Sequence, residues 1–404
     1  MTVALPAAPT ARRGLVVPAE GGGRLPVDLA ACRRILVVRL DFIGDWVLML
    51  PFLANLRASA PGAEITAVVL TRVYDLARAC RFVDRVVAVD PVEAGPVAFF
   101  GRDEADVADF VADYTGGVFD LALVPRWDTD FNGALRIANG SGARQVIGFS
   151  EGCTPQRAVE NRGDDRFYDA VLLDRGNAHE VEHKLGFLEA IGGRVSERGL
   201  RLDLDAADRA AADRFVTDGI GGDGRFLAVA PFAIGRKGLP PDVTADVTAR
   251  LAREFDLPVV VIGSPVHGEE AARFAAMLRR PAVSAIGLPL GVSAALIGRA
   301  TALVGMDSGP AHIAAALGTP VSVVFAHPES GAADHVGSPE RFRPWGDPAR
   351  IQIVQPATPR APCVEGCEAD APHCITQLDA DCLTPRIAGF LARFVPEAVE
   401  GVAT

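Results

Sequence analysis

The sequence predicts an α/β protein with two doubly wound, parallel-sheet domains, and three observations lead to this prediction. Short runs of Val, Ile, Leu and Ala alternate with longer amphipathic stretches along most of the chain, an order typical of parallel βαβ units with right-handed crossovers. The alternation stops over a polar, glycine-rich passage near the middle and then begins again. The length of 404 residues also exceeds the about 100–200 residues of an ordinary domain.

The first half of the chain contains five predicted strands, each a short apolar run bounded by polar or turn-forming residues. They cover residues 35–39, 64–70, 86–90, 119–125 and 145–149. An amphipathic helix is expected from Gly44 to about residue 60, and another over residues 177–191. The stretch 151–175 is rich in Asp and Arg and is expected to be a loop.

The second half repeats the pattern with five further strands separated by helices. The strands are predicted at 226–232, 258–263, 282–287, 301–306 and 321–325, and the helices at 241–254, 268–279, 292–299 and 309–317. Residues 281–298 carry no charge and approach the length of a membrane span, but Gly287, Pro289 and Gly291 interrupt them. A buried strand, a turn and a short helix are therefore the better interpretation.

The composition shifts along the chain predict four segments. Residues 1–30 are rich in Pro, Ala and Gly and are expected to form a flexible leader. A first Rossmann-like domain follows over 31–205, and a second one, with a cysteine-rich segment near its end, over 206–383. The last segment, 384–404, is expected to be a helix that packs back on the first domain.

Charge and cysteine content exclude several classes of protein. The chain has 51 acidic and 40 Lys or Arg side chains, a net charge of −11, whereas nucleic-acid binders usually carry a basic face. Seven cysteines are odd in number and too few for a disulfide scaffold of this length, which indicates a reducing compartment. The first 30 residues lack the apolar block of about 7–15 residues that a signal peptide needs. We therefore expect a cytoplasmic protein that does not span a membrane.

Doubly wound sheets bind ligands at the carboxyl ends of their strands, and one such corner is Asp307-Ser-Gly-Pro310. Asp307 follows a predicted strand, and Pro310 suits the first turn of the next helix. Free N–H groups and the positive end of the helix dipole at Ser308 and Gly309 would attract an anionic group such as phosphate. An ordinary helix cap without a ligand is an equally open interpretation.

A serine hydrolase is the competing hypothesis for the same corner. Asp307, Ser308 and His312 lie within six residues of one another, and these are the residue types of a catalytic triad. The nucleophile elbow G-x-S-x-G is missing from this position, however, and it is the feature that exposes such a serine. A corner that binds an anionic group is therefore the preferred interpretation.

A second corner is RLDFIGDWVLMLP, residues 39–51, where a strand ends and Gly44 and Asp45 open a helix. Asp45 in the first helical turn would stabilise the positive end of the dipole. It is also suited to act as a general base on an acceptor hydroxyl, and Gly44 would let a substrate come close.

Two further corners follow strands of the second domain. Arg236 and Lys237 form a cationic pair after the strand at 226–232. They are surface charges unless a phosphate lies at Gly309, in which case a lysine would stabilise a departing diphosphate. After the strand at 258–263, Glu269 could bind ribose hydroxyls or simply stabilise a helix start.

Taken together, RLDFIGDWVLMLP and MDSGPAHIAAALGTPVSVVF resemble the ADP-heptose–lipopolysaccharide heptosyltransferases, glycosyltransferase family 9. The resemblance runs from about residue 35 to residue 391. It implies the GT-B fold, in which two Rossmann-like domains face a cleft, the first binding the acceptor and the second a nucleotide sugar. It also implies an inverting transfer that needs no metal or other cofactor.

The resemblance implies a role for each matching residue. Asp45 would deprotonate the acceptor hydroxyl, and Lys237 would bind the donor phosphate. Asp307 would face the sugar, while Ser308 and Gly309 would hold the diphosphate at the helix end.

Other matches are looser. Glu269 matches the acid that binds the nucleotide ribose, with His267 as an alternative alignment, and His312 would brace the corner from within its helix. The chain departs from the family pattern on the donor side, at 232–234, at Leu239 in place of Trp, and at 326–327. The donor in the family is ADP-heptose. Because these departures line the donor side, they leave open which nucleotide sugar this chain uses.

The acceptor is the least specified partner. Lipopolysaccharide core is implied by the family, and another glycan, a protein or a small natural product stay open, as does a peripheral position at the inner membrane. Segments 90–113 and 125–139 differ from the family, so Arg126, Trp127 and Arg136 are candidate contacts or plain surface residues. Two alternatives to transfer stay open, a nucleotide-sugar epimerase on the same fold and a non-catalytic nucleotide-binding protein.

The tail contains Cys363, Cys367, Cys374 and Cys382, with His373 between them. Four cysteines in such a short segment could bind structural zinc or iron. The spacing lacks the paired C-x2-C units of common zinc sites, so a segment without metal is the alternative.

Overall fold

The computed structural model describes residues 14–16, 25–89, 118–221 and 223–395. The chain divides into two compact units, Met1–Asp203 and Leu204–Thr404. Each unit is built on its own twisted sheet, and the predicted α/β class is confirmed for both.

The first unit has a seven-stranded sheet in the order β1-β7-β6-β5-β2-β3-β4. Its strands are β1 Gly14–Val16, β2 Arg34–Arg39, β3 Glu64–Leu70, β4 Arg85–Val89, β5 Leu121–Val124, β6 Val146–Phe149 and β7 Ala170–Leu173. All neighbours run parallel except β1, which pairs antiparallel with β7. Five of the six residues of β2 are buried, as expected for the middle of a parallel sheet covered on both faces.

Six helices of this unit are described, and they cover the sheet. They are α1 Ile43–Val47, α2 Leu50–Ser59, α3 Tyr74–Arg78, α4 Ala134–Gly140, α5 Pro155–Glu160 and α6 Glu180–Ala190. Trp46 of α1 and Phe52 of α2 are almost completely buried. The carboxyl end of β2 is therefore held firmly by the helices that follow it.

Three predictions for the first unit need correction. The helix expected from Gly44 to residue 60 is two helices, because Pro51 takes a first-turn position and starts α2. The expected loop 151–175 contains α5 and the strand β7. Within the expected leader, Gly14–Val16 forms β1, and most of the segment 90–113 lies outside the described residues.

The second unit has a six-stranded, fully parallel sheet in the order β10-β9-β8-β11-β12-β13. Its strands are β8 Leu227–Ala230, β9 Val259–Gly263, β10 Ala282–Ile286, β11 Ala302–Met306, β12 Val321–Val324 and β13 Ile351–Val354. The first five were predicted, and β13 was not. The four-residue strands β8 and β12 are paired on both sides and fully buried, whereas β13 is an edge strand with one buried residue.

The described helices of this unit are α7 Ala206–Gly219, α8 Pro241–Glu254, α9 Gly268–Met277, α10 Leu290–Arg299, α11 Gly309–Leu317, α12 Pro339–Phe342 and α13 Ala380–Leu391. Four of them, those that begin at residues 241, 268, 290 and 309, start at the predicted positions or within two residues of them. Leu383, Ile387 and Leu391 of α13 belong to the core of this second unit. The C-terminal helix therefore packs within the second unit. It begins at Ala380, before the predicted residue 384, and residues 396–404 lie outside the described part.

Residues 282–299 form β10, a turn and α10, so the predicted strand, turn and short helix are confirmed. The strand is not buried as predicted, because β10 is an edge strand in which only Ala285 is buried. Across the described ranges, no helix combines the length and the apolar composition that crossing a membrane requires.

Gly148 offers a test of how tightly the first sheet is packed. A Cβ atom at this position would lie 2.4 Å from the Tyr168 ring, and that ring is buried. Gly148→Ala should lower the free energy of unfolding by about 2 kcal/mol, the usual cost of overpacking a core. Chemical denaturation followed by circular dichroism measures the shift. Gly62→Ala, where a Cβ meets nothing within 4 Å, is the matched control and should leave the unfolding midpoint unchanged.

Candidate active site

The strand order of each unit contains one point at which the chain reverses direction across the sheet. In the first unit this point lies between β2 and β5, and in the second between β8 and β11. Ligands of doubly wound sheets bind outside the carboxyl ends of the strands at such a switch point. Asp45 follows β2, Lys237 follows β8 and Asp307 follows β11, so the predicted residues occupy the corners where a ligand is expected.

Asp45 lies in the first turn of α1 and is held by an arginine from the strand before it. Arg39 Nη2 donates to Asp45 Oδ1 at 3.1 Å, and the Asp45 side chain is 22% exposed. The Arg39 side chain is itself buried, and its Nη1 donates to the carbonyl oxygen of Pro125 at 2.9 Å. Asp45 is thus a carboxylate in a fixed orientation with an open side, and Gly44 precedes it in the same turn.

A second carboxylate, Asp41, lies behind Asp45 and is buried. Its Oδ2 forms an ion pair with Arg39, whose Nε lies 2.6 Å away, and its Oδ1 contacts Arg126 Nη1. Burial lowers the pKa of the Arg126 guanidinium, and the nearby Asp128 carboxylate opposes that effect. These acids and bases connect the carboxyl ends of β2 and β5, and each buried charge among them has two oppositely charged neighbours, as buried charges require.

A buried lysine belongs to the same region. Lys184 Nζ lies 3.1 Å from Glu180 Oε2 within α6, and both side chains are 1% exposed. Burial lowers the pKa of Lys184, and Glu180 opposes the shift. Arg39 and Asp45 are close enough to interact electrostatically with this lysine, so the pair lies near the candidate base.

Trp127 and Arg126 were expected to be acceptor contacts or surface residues, and the surface alternative is wrong for both. Trp127 is buried, stacks on His183 with ring centroids 4.1 Å apart, and donates from Nε1 to the carbonyl oxygen of Asp174. Its indole is therefore part of the packed interior of the first unit. Arg136, the third candidate contact, is exposed on α4.

In the second unit, Lys237 and Asp307 form a close ion pair. Lys237 Nζ lies 2.6 Å from Asp307 Oδ2, the lysine side chain being 40% exposed and the aspartate 7%. The two residues follow β8 and β11, so the pair spans the switch point of this sheet. A partly open ammonium at this point is available to an anionic ligand.

The N-terminus of α11 next to this pair suits an anion. Ser308 precedes the helix, and its hydroxyl donates to the carbonyl oxygen of Met306 at 3.3 Å. Among the described residues no side chain caps α11. Pro310 has no N–H and the Ala311 N–H donates to the carbonyl oxygen of Ser308, so the Gly309 N–H and the helix dipole remain for a ligand.

The same contacts argue against the serine hydrolase hypothesis. The Ser308 hydroxyl donates to the carbonyl oxygen of Met306, and the Asp307 carboxylate forms an ion pair with Lys237. His312 is buried within α11. The three side chains are therefore not arranged as the nucleophile, base and orienting acid of a triad.

Around this corner the loops of β8 and β9 offer an aromatic surface. Phe232 stacks on His267 with centroids 4.6 Å apart, and Ile234 and Val266 are largely exposed. Glu269, by contrast, is 92% exposed and only 3.8 Å from Arg273. A flat aromatic pair with apolar neighbours suits the base of a nucleotide.

The tail brings four potential metal ligands together. The donor atoms of Cys363, Cys367, His373 and Cys374 all lie within 4.8 Å of one another. Cys382 was predicted to belong to this group, and the structure corrects that prediction. Its thiol in α13 instead donates to the carbonyl oxygen of Asp379 at 3.3 Å. His373 takes its place.

The family model of glycosyltransferase family 9 (heptosyltransferase) matches residues 165–371, which is just over half of the chain. The chain belongs to glycosyltransferase family 9. This family membership confirms that the protein is a glycosyltransferase, as the two sequence motifs implied.

Solved structures agree on the fold. A family 9 glycosyltransferase from Veillonella parvula superimposes with a TM-score of 0.68 at 18% identity, over 91% of this chain and 98% of that one. ADP-heptose lps heptosyltransferase II of E. coli gives 0.64 at 17% identity, over 89% and 99%. E. coli heptosyltransferase WaaC with ADP gives 0.61 at 18% identity, over 88% and 99%. The two Rossmann-like units thus form the GT-B fold.

Several residues of this glycosyltransferase's site were not predicted. Arg39 and Asp41 lie within the quoted RLDFIGDWVLMLP motif, where two charges at the end of a buried strand are an unusual pattern that could have marked them. Glu180 and Lys184 are spaced i, i+4, a spacing that usually indicates an exposed pair. Only the burial of that pair shows that it belongs to the interior.

Proposed function

We propose that this glycosyltransferase moves a heptose or a related sugar from a nucleotide diphosphate donor, ADP-heptose in the first instance, to an acceptor hydroxyl with inversion at the anomeric carbon. The Lys237–Asp307 pair beside the uncapped N-terminus of α11 is the observation that carries the donor half. It combines a cation, a helix dipole and a carboxylate at one switch point. The solved relatives named for ADP and for ADP-heptose support the choice of donor.

In this proposal the acceptor hydroxyl attacks the anomeric carbon as its proton passes to the Asp45 carboxylate. The bond between that carbon and the diphosphate oxygen breaks, and the electron pair leaves with the diphosphate. Lys237, the Gly309 N–H and the dipole of α11 then stabilise the charge that develops on it, which is often the largest catalytic contribution. Arg39 keeps Asp45 oriented, and no step needs a metal.

We assign the remaining contacts to the nucleotide-sugar donor from the positions of the residues around α11. Ser308 lies next to the diphosphate, and Arg236 adds a second cation in the same turn. The stacked pair of Phe232 and His267 is the proposed platform for the nucleotide base, and Glu269 or His267 would reach the ribose.

For the acceptor we propose a glycan, with the lipopolysaccharide core as the first candidate. The acceptor would bind at the carboxyl ends of β2 and β5, where Asp45 is open to solvent. None of the seven cysteines forms a disulfide in the described structure, which suits a cytoplasmic enzyme.

The test is a turnover assay with the purified full chain and a panel of ADP-, UDP- and GDP-linked sugars, with lipopolysaccharide core fragments as acceptors. We expect release of ADP from ADP-heptose and, by mass spectrometry and NMR, a new glycoside with inverted configuration. Isomerised donor without a glycoside would favour the epimerase alternative. Binding of ADP with no consumption of any donor would favour a non-catalytic protein.

A further inference from the structure

The segment 355–373 of the second unit is held in place without regular secondary structure. It forms neither helix nor strand over its whole length, and loops beyond about 12–15 residues of this kind are uncommon in compact domains unless they have a function. From residue 361 to residue 373, only Gly366 and Cys367 are buried. Apolar packing therefore does not explain why this segment has a defined path.

The cysteine–histidine cluster within and next to this segment has the geometry of a metal site. His373 Nδ1 lies 3.5 Å from Cys363 Sγ and 3.6 Å from Cys374 Sγ. A tetrahedral zinc ion with bonds of about 2.3 Å to sulfur and about 2.0–2.1 Å to nitrogen separates such ligand atoms by about 3.6 Å. With Cys367, whose donor atom also lies in the cluster, the set is three thiolates and one imidazole.

Backbone N–H groups orient two of these sulfur atoms. The Arg360 N–H donates to Cys374 Sγ at 3.4 Å, and the Glu368 N–H donates to Cys363 Sγ at 3.5 Å. Hydrogen bonds to the ligand atoms fix their direction and tune a metal site. Zinc is the usual ion for a closed tetrahedral set of three cysteines and one histidine.

The same segment lies against the turn that carries Lys237, the lysine proposed to bind the donor diphosphate. Gly235 has a φ of +57°, and a Cβ there would lie 3.1 Å from the carbonyl oxygen of Asp370. Asp370 falls between the ligands Cys367 and His373, and Gly235 falls two residues before Lys237. The backbone of the ligand loop and the backbone of the Gly235–Lys237 turn are therefore in direct contact.

A second contact supports this arrangement. A Cβ at Gly366, between Cys363 and Cys367, would lie 2.7 Å from the His335 ring. His335 is in turn close enough to Arg236 to interact with its charge. The ligand loop thus approaches both cations of the turn.

We propose that Cys363, Cys367, His373 and Cys374 bind one zinc ion, and that this ion holds the ligand loop against the Gly235–Lys237 turn and so positions Lys237 for the donor diphosphate. The ion takes no part in the transfer itself. The second half of the inference rests on the proposed function, whereas the first half stands on the cluster alone.

The metal is tested first, with the full chain purified without added chelator. Elemental analysis should find one zinc per chain, and the cobalt-substituted protein should show the absorption bands of a tetrahedral cobalt–thiolate centre. Cys367→Ser should lose the metal, while Cys382→Ser, the matched control outside the cluster, should keep it. A folded wild-type chain without metal would overturn the site, and iron in place of zinc would overturn the choice of ion.

The coupling to Lys237 is tested by calorimetry with ADP. Removing zinc from the wild-type chain with a chelator should weaken ADP binding roughly five- to tenfold, within the ordinary range of coupling between two sites. In Lys237→Ala the same removal should have little further effect, because the metal would act through that lysine. Circular dichroism checks that the chelated chain remains folded.

The outcomes separate the two proposals. An unchanged ADP affinity after zinc removal would overturn the positioning role while the metal site stands. An equal loss of affinity in the wild type and in Lys237→Ala would show that zinc acts on the fold and not through Lys237. Absence of ADP binding in the zinc-loaded wild type would instead contradict the donor assigned under the proposed function.

Discussion

Asp45→Ala lowers the rate of sugar transfer about 10²–10⁴-fold in our prediction, the usual contribution of a positioned general base, and leaves ADP binding unchanged. The carboxylate is partly exposed beside a buried arginine. Arg39 retains Asp41 and the Pro125 carbonyl as partners after the substitution, so the site should keep its shape. Steady-state kinetics and calorimetry with ADP measure the two effects.

The competing role for Asp45 is stabilisation of the helix dipole, and Asp75→Ala is the matched control. Asp75 also lies in the first turn of a helix in this unit, where an acid contributes about 0.3–1 kcal/mol. Both variants should lose a similar small amount of stability, but only Asp45→Ala should lose activity. Wild-type turnover by Asp45→Ala would exclude it as the base, and so would an equal loss in Asp75→Ala.

Lys237→Ala should lower kcat/KM about 100-fold, which is what removing one donor to a developing negative charge costs in other enzymes. The variant removes both the cation offered to the diphosphate and the partner of a nearly buried Asp307. Lys237→Arg keeps the positive charge and should recover part of the activity. Initial rates as a function of donor concentration measure these effects.

Arg236→Ala is the control for Lys237, since it removes a neighbouring cation from the same turn without breaking the ion pair with Asp307. It should lose much less activity than Lys237→Ala. If the two variants were equally impaired, a general electrostatic attraction of the donor would explain the data, and a specific role for Lys237 would be wrong.

The fold was predictable where hydrophobic periodicity is strong. The strand Glu64–Leu70 and the helices Pro241–Glu254 and Gly309–Leu317 have the bounds that the sequence predicts. The strands Ala170–Leu173 and Ile351–Val354 escaped prediction. Each has only four residues, and the pairing with β6 or with β12 decides its conformation, which no local pattern reveals.

The site was predictable only in part, for a related reason. Asp45, Lys237 and Asp307 lie in the segments that follow β2, β8 and β11, and the rule for doubly wound sheets points to such positions. The contribution of Arg39 depends on burial, which the sequence does not show. In the cysteine–histidine cluster, spacing alone could not show that Cys382 is absent and His373 present; the Cys382 thiol instead donates to the carbonyl oxygen of Asp379.

The antiparallel strand β1 has a consequence for solubility. It pairs with the outer side of β7, whose N–H and C=O groups would otherwise form an open sheet edge. Open edges recruit strands from other molecules and so promote aggregation. The short segment Gly14–Val16 therefore covers this edge of β7 and, as a short edge strand itself, limits pairing between copies of this enzyme.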